Sequence, residues 1–113
     1  MHELSLAESL REIIETEARR QGFSRVRTVR LQVGRLSCVE PEALRFCFAE
    51  VMRGGVAEGA HLEIVPVAGE GCCSACGRRV PMTELYDLCP RCRRPLAVVQ
   101  GMEIRLQELE VSG

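Results

Sequence analysis

The chain has 113 residues, a formal net charge of −1 and 46% hydrophobic residues, which suits one domain or one domain carrying a small module. So balanced a charge excludes a global field that draws the protein to nucleic acid or to a membrane surface, and no apolar run approaches the ~20 residues that span a bilayer. With three Phe, one Tyr and no Trp, the core has to be built from Leu, Val and Ile.

The chain opens on Met1, His2 and Glu3, and position alone makes these a frayed terminus that tolerates change. Residues 5–21 read as an amphipathic helix, with Leu6, Leu10, Ile13, Ile14 and Ala18 at three- and four-residue spacing. Ser5 with Glu8 three residues on forms a capping box, and Gly22 supplies the stop. On that reading residues 1–4 are a short arm outside the helix. The acidic residues of this stretch (Glu3, Glu8, Glu12, Glu15 and Glu17) exclude the apolar region of a signal peptide. The expected compartment is the cytoplasm, where thiols stay reduced, so the seven Cys read as metal ligands or buried thiols before disulfides.

Residues 26–33 alternate as a half-buried strand, with Val29, Leu31 and Val33 facing one way. Pro41 suits the first turn of a second helix through Leu44, Cys47, Phe48 and Val51 to Gly54-Gly55. A second strand is expected at 62–67, and Pro66 puts it at a sheet edge. Residues 71–95 lose periodicity, after which Met102, Ile104 and Leu106 alternate as a third strand. The expected fold class is therefore α+β, two helices packed on a three-stranded sheet. An inserted zinc-ribbon, rubredoxin-like module interrupts it, which divides the chain into 1–68 plus 97–113, and 69–96.

The insert carries the strongest chemical signal. Cys73 and Cys76 stand two residues apart, as do Cys89 and Cys92, with twelve residues between the pairs. Each C-x-x-C turn aims two sulfurs at one point, and two facing turns complete the S4 tetrahedron that zinc prefers. Iron fits the same cage, but an insert with so little apolar content needs a structural metal to fold, which favours zinc. Cys72 touches the first pair and leaves open which sulfur ligates. Cys38 and Cys47 sit among apolar residues and read as small core side chains. Five arginines of the insert (78, 79, 91, 93 and 94) oppose Glu84 and Asp87, a formal +3. A zinc ion with four thiolates offsets two of those charges. With only Tyr86 to offer a stacking surface, nucleic-acid binding is not expected.

Across essentially its whole length the sequence resembles the HypA/HybF hydrogenase maturation proteins, which handle nickel. The resemblance rests on Met1-His2-Glu3, Ser37-Cys38-Val39-Glu40, "FCF" at 46–48, "RGGVAEG" at 53–59 and the paired cysteines 73, 76, 89 and 92. It implies a nickel-binding α/β part, a zinc-binding module and no catalysis by the protein itself. It also implies delivery of Ni(II) to the hydrogenase large subunit, in some members to urease, with a maturation GTPase as partner. Carried onto this chain, the nickel ligands are the Met1 amine, His2 and the backbone nitrogen of Glu3.

That ligand set is chemically intelligible. An amine, an amide nitrogen and an imidazole close fused chelate rings, and the Glu3 amide completes a plane of four nitrogens that Ni(II) or Cu(II) accepts readily. The initiator Met must stay in place, which the bulk of His2 favours. The amine and imidazole shed protons before they ligate, so binding weakens on acidification. The rival is a zinc-ribbon module that binds protein or nucleic acid, with an inert N-terminus. A hydrolytic enzyme is the weakest reading: His2 and His61 are the only histidines, and four paired cysteines leave zinc no open position. His61 reads as a partly exposed residue at a strand entry. A monomer or a weak or domain-swapped dimer is expected, with no membrane partner.

Overall fold

The computed structural model describes residues 2–113. In chain order its elements are α1 (His2–Gln21), β1 (Arg25–Gly34), α2 (Pro41–Val51), β2 (His61–Val67), β3 (Gly69–Cys73), β4 (Arg79–Met82), β5 (Leu96–Gln100) and β6 (Ile104–Ser112). They form two three-stranded sheets, ordered β2-β1-β6 and β4-β3-β5. The chain resolves into two compact units: Met1–Leu31, Val39–Ile64 and Leu106–Gly113 in the first, Gln32–Cys38 and Val65–Arg105 in the second.

In the first unit α1 and α2 pack against each other. The buried stripe of α1 runs Glu3, Ala7, Leu10, Ile14 and Ala18, at helical spacing. It meets a core of Val26, Val29, Leu31, Leu44, Phe48, Met52, Ala57 and Leu62. Gly22, at φ 79°, closes α1 by donating its N–H to Ala18 O at 2.8 Å. Pro41 opens α2, whose N-cap is Glu40; the Glu40 carboxylate accepts from the Ala43 N–H at 3.0 Å.

The turn after α2 is held from α1. Arg11 Nη1 donates to Val51 O at 2.7 Å and Arg53 O at 2.9 Å, which satisfies carbonyls that a helix end leaves unpaired. Glu15 accepts from the Val56 N–H at 3.0 Å. A side chain at Gly55 would run into this Arg11–Glu15 pair, so the glycine of the "RGGVAEG" stretch has a packing reason. On the sheet, Arg30 of central β1 bridges Glu63 of β2 at 2.8 Å and Glu108 and Glu110 of β6 at 2.9 and 3.0 Å. Such partly exposed pairs add little stability singly, but opposed charges on neighbouring strands fix register.

β2 is an edge strand, as Pro66 implies. Three expectations are corrected. Ser5 is not a helix cap and residues 2–4 are not an arm, because α1 is already helical at His2; Met1 lies outside the described residues. The helix extends because Glu3 sits one turn before Ala7 on the buried stripe and finds a partner there. Residues 71–95 are not merely an irregular insert: β3, β4 and β5 flank the knuckles as a sheet of their own. The last strand starts at Ile104, after Met102, and continues to Ser112.

Candidate metal centre

The second unit buries few side chains. Val33, Leu36, Val80 and Met82 are its buried aliphatics, beside Cys73 and Cys89. β3 is its central strand, with Gly71 opposite Val80 on one side and Cys73 opposite Leu96 on the other. Side chains would not fit at Gly69 and Gly71, where a Cβ would press on Met82 and on Leu36 or Leu96. These glycines are close-approach positions of a thin sheet.

Two turns with one hydrogen-bond pattern grow from this sheet. In the first, Gly77 N–H donates to Cys73 O at 2.7 Å and Cys73 N–H to Arg78 O at 3.0 Å. In the second, Arg93 N–H donates to Cys89 O at 2.8 Å and Cys89 N–H to Arg94 O at 2.9 Å. Both need a left-handed residue after the second cysteine. Gly77 supplies it at φ 71°, whereas the second turn uses Arg93 at φ 59°, a conformation that costs a side-chain-bearing residue about 1–2 kcal/mol. Between the turns, the Asp87 carboxylate accepts from Thr83 N at 2.8 Å and Glu84 N at 3.2 Å. Those two N–H groups hold its pKa below the ordinary value. A bridge from Leu88 to Pro95 then closes the second loop.

The sulfurs of Cys73, Cys76, Cys89 and Cys92 lie within 4.8 Å of one another, and those of Cys76 and Cys89 are 3.9 Å apart. Four thiolates at ~2.3 Å from a tetrahedral zinc stand about 3.8 Å from each other, so the donor set and its spacing fit that ion. The electrostatics ask for a cation. Cys73 is drawn down to about 7, first by the Cys76 N–H, against burial, and further by the Ala75 N–H. Cys92 is pushed up to about 12 by its hydrogen bond with Cys76, by burial and by Cys73. Four thiols so close cannot all ionise without a counter-charge. A zinc ion held here supplies that charge and ties the two turns together. Its four ligands close the site, so no reactive position remains.

Of the other cysteines, Cys72 stands outside the cluster, its thiol 3.7 Å from Gly77 O and 3.9 Å from Cys73 O. Cys47 is half-buried, and Cys38 is corrected from core to exposed. Cys38 takes a left-handed conformation at φ 64°, four residues beyond the end of β1 at Gly34. His61 is exposed at the first residue of β2.

At the other candidate site, His2 is exposed on the first turn of α1, where the backbone N–H groups of any helix lack intrahelical acceptors. Glu3 is buried, and its Oε2 accepts from the Glu40 N–H at 2.9 Å. That N–H, with the residue's own, holds the Glu3 carboxyl down at about 2. The sequence gives no sign of this bond, because the partner lies 37 positions away. Glu3 therefore anchors the start of α1 to the cap of α2 through its side chain.

A thin ribbon on which four sulfurs converge, in one chain with a helical unit, is the architecture of a small protein with a four-cysteine metal site. The sequence profile described as "Hydrogenase/urease nickel incorporation, metallochaperone, hypA" matches residues 1–111. Hydrogenase maturation factor HypA of Methylocella silvestris is 53% identical over 98% of this chain and 99% of its own length. That of Dechloromonas aromatica is 50% identical over the same shares. Among solved structures, the solution structure of the Ni metallochaperone HypA from Helicobacter pylori matches with a TM-score of 0.71 at 26% identity, covering 97% of both chains. The chain belongs to the HypA family of hydrogenase and urease nickel-incorporation metallochaperones. Among the described residues, no helix is long and apolar enough to cross a membrane.

Proposed function

We propose that this protein carries Ni(II) as cargo on its first three residues, bound by the Met1 amine, His2 and the Glu3 backbone nitrogen, and delivers it during hydrogenase maturation. Structural zinc sits on Cys73, Cys76, Cys89 and Cys92. The observation that carries the reading is the treatment of Glu3: its carboxylate is spent on the Glu40 N–H, while His2 beside it stays exposed. The buried anchor holds the helix start in place, and the ligand-bearing edge faces outward, where a carrier loads and unloads. Nickel nitrogen chemistry of this kind also accepts copper, which binds more tightly. Selection then falls to metal supply and to partners.

The protein works in the cytoplasm without catalysing a reaction. Its partners are a maturation GTPase and the hydrogenase large subunit, and urease where the cell makes it. The working division is a nickel part built on α1, α2 and the β2-β1-β6 sheet, and a zinc module built on the β4-β3-β5 sheet. Nickel titration of untagged protein tests the assignment. His2→Ala, or one residue added before Met1, abolishes stoichiometric nickel binding and leaves zinc content unchanged. Normal nickel binding by the extended chain would place the site elsewhere.

A further inference from the structure

The second unit ends in a cluster of unspent positive charge. Arg78, Arg91, Arg93 and Arg94 follow or lie inside the two cysteine turns, and all four are exposed. Among the described residues none of their guanidiniums donates to a carboxylate, a carbonyl or a sulfur, whereas that of neighbouring Arg79 is paired with Glu70. The four sulfurs that these turns surround lie within 4.8 Å of one another, so the arginine backbones crowd around one centre. Two of those cysteines, Cys73 and Cys89, are buried, while all four arginines are exposed. Neither Asp87, whose carboxylate accepts the Thr83 and Glu84 N–H groups, nor Glu84 forms an ion pair with them, and four guanidiniums outnumber these two carboxylates.

Arg93 sharpens the point. At the equivalent place in the first turn Gly77 adopts φ 71° without strain, yet the second turn holds Arg93 at φ 59°. The turn itself uses only the Arg93 backbone, whose N–H donates to Cys89 O; among the described residues nothing engages its guanidinium, so whatever that group contributes lies outside the chain. Beside the arginines stand exposed Tyr86 and Leu88, and Leu88 bridges to Pro95, the residue after Arg94. Leu36, Cys38, Leu85 and Tyr86, with Arg35 and Glu84 opposed in charge beside them, line a shallow cleft of about 190 Å³, room for an apolar side chain. Arginine, tyrosine and leucine around a small cleft form a protein-recognition surface. A nucleic-acid strand would need several aromatic platforms, and Tyr86 stands alone.

We infer that this end of the zinc-ribbon unit docks an acidic segment of a partner protein, whose carboxylates meet Arg78, Arg91, Arg93 and Arg94 and whose apolar side chain enters the Tyr86 cleft. The inference does not depend on where nickel binds. It is tested with the full, zinc-loaded chain and a fluorescent twelve-residue peptide of Glu and Asp around one Leu. The controls are its Gln/Asn counterpart and a single-stranded oligonucleotide of equal length. The acidic peptide binds, and binding weakens as salt screens the charges. Arg91→Gln with Arg94→Gln lowers affinity about tenfold or more at unchanged zinc content, while Arg91→Lys with Arg94→Lys keeps most of it. Tyr86→Ala weakens binding a few-fold without altering its salt dependence, as loss of an apolar contact should. Equal binding of the acidic and neutral peptides, equal binding by wild type and the double Gln variant, or tighter binding of the oligonucleotide would each overturn the inference.

Discussion

The two units reach order by different routes. The first buries Ala7, Leu10, Ile14, Val29, Leu31, Leu44, Phe48 and Met52 in one apolar core, and packing of that kind is self-sufficient. The second has Val33, Leu36, Val80 and Met82, and beyond them its buried side chains are sulfurs. Its sheet is short, edged and rich in glycine, too thin to hold itself together. One unit folds because its sequence is hydrophobic at the right period; the other folds because four thiolates share a cation.

The largest effect comes from breaking that second route. Cys73→Ser, or chelation of zinc, removes a folding contribution of about 10–16 kcal/mol in comparable small zinc modules. Amide resonances of residues 69–100 lose dispersion, while the helical circular dichroism of α1 and α2 persists. A dispersed ribbon spectrum at zero zinc content would erase the distinction between the units.

The reverse experiment is smaller. Ile14→Ala opens a cavity at a fully buried position of α1 and costs about 2–5 kcal/mol. The chemical-denaturation midpoint of the first unit falls, and zinc content of the native protein stays at one equivalent. Zinc loss at the same denaturant concentration in wild type and variant, with no shift in midpoint, would mean that the helical core does not limit stability.

A third test isolates Glu3 in nickel-free protein. Its carboxyl titrates at about 2 when folded, against 4.5 for the free group, because the Glu40 N–H prefers the ionised form. The unfolded chain therefore takes up the proton first. This contribution is complete above about pH 4.5 and fades as pH falls from there through about 2. Glu3→Gln lacks this component, so its stability declines less steeply over that window when followed by thermal melts at successive pH values. Parallel slopes for both proteins would remove the anchor.

What the sequence disclosed follows the same divide. β1 and α2 were legible because Val29, Leu31 and Val33 keep a period of two, and because Pro41 and the Leu44–Phe48 spacing mark a helix start and its inner face. The cysteine cluster was legible because spacing alone converges the sulfurs. The start of α1 was not: the Ser5–Glu8 box is a sound local signal, overridden by a tertiary bond between Glu3 and Glu40 that no local window contains. The ribbon sheet escaped for a related reason. Strands such as Gly69–Cys73 carry almost no hydrophobic alternation, since the metal rather than the pleat holds them. The left-handed Arg93 was invisible because nothing in "CPRCRR" announces that its backbone must match Gly77.

That last position yields the smallest and most discriminating change. Arg93→Gly gives the second turn the residue the first already has, relieving about 1 kcal/mol of backbone strain or slightly less once the freer unfolded chain is counted. The ribbon should melt a few degrees higher with zinc still bound, and the first unit should not respond at all. The same variant removes one guanidinium from the docking surface, so stability rises while binding of the acidic peptide falls. Opposite signs in one substitution identify strain retained for recognition. A variant that gains stability and keeps full peptide affinity would show that Arg93 strains the turn for no partner.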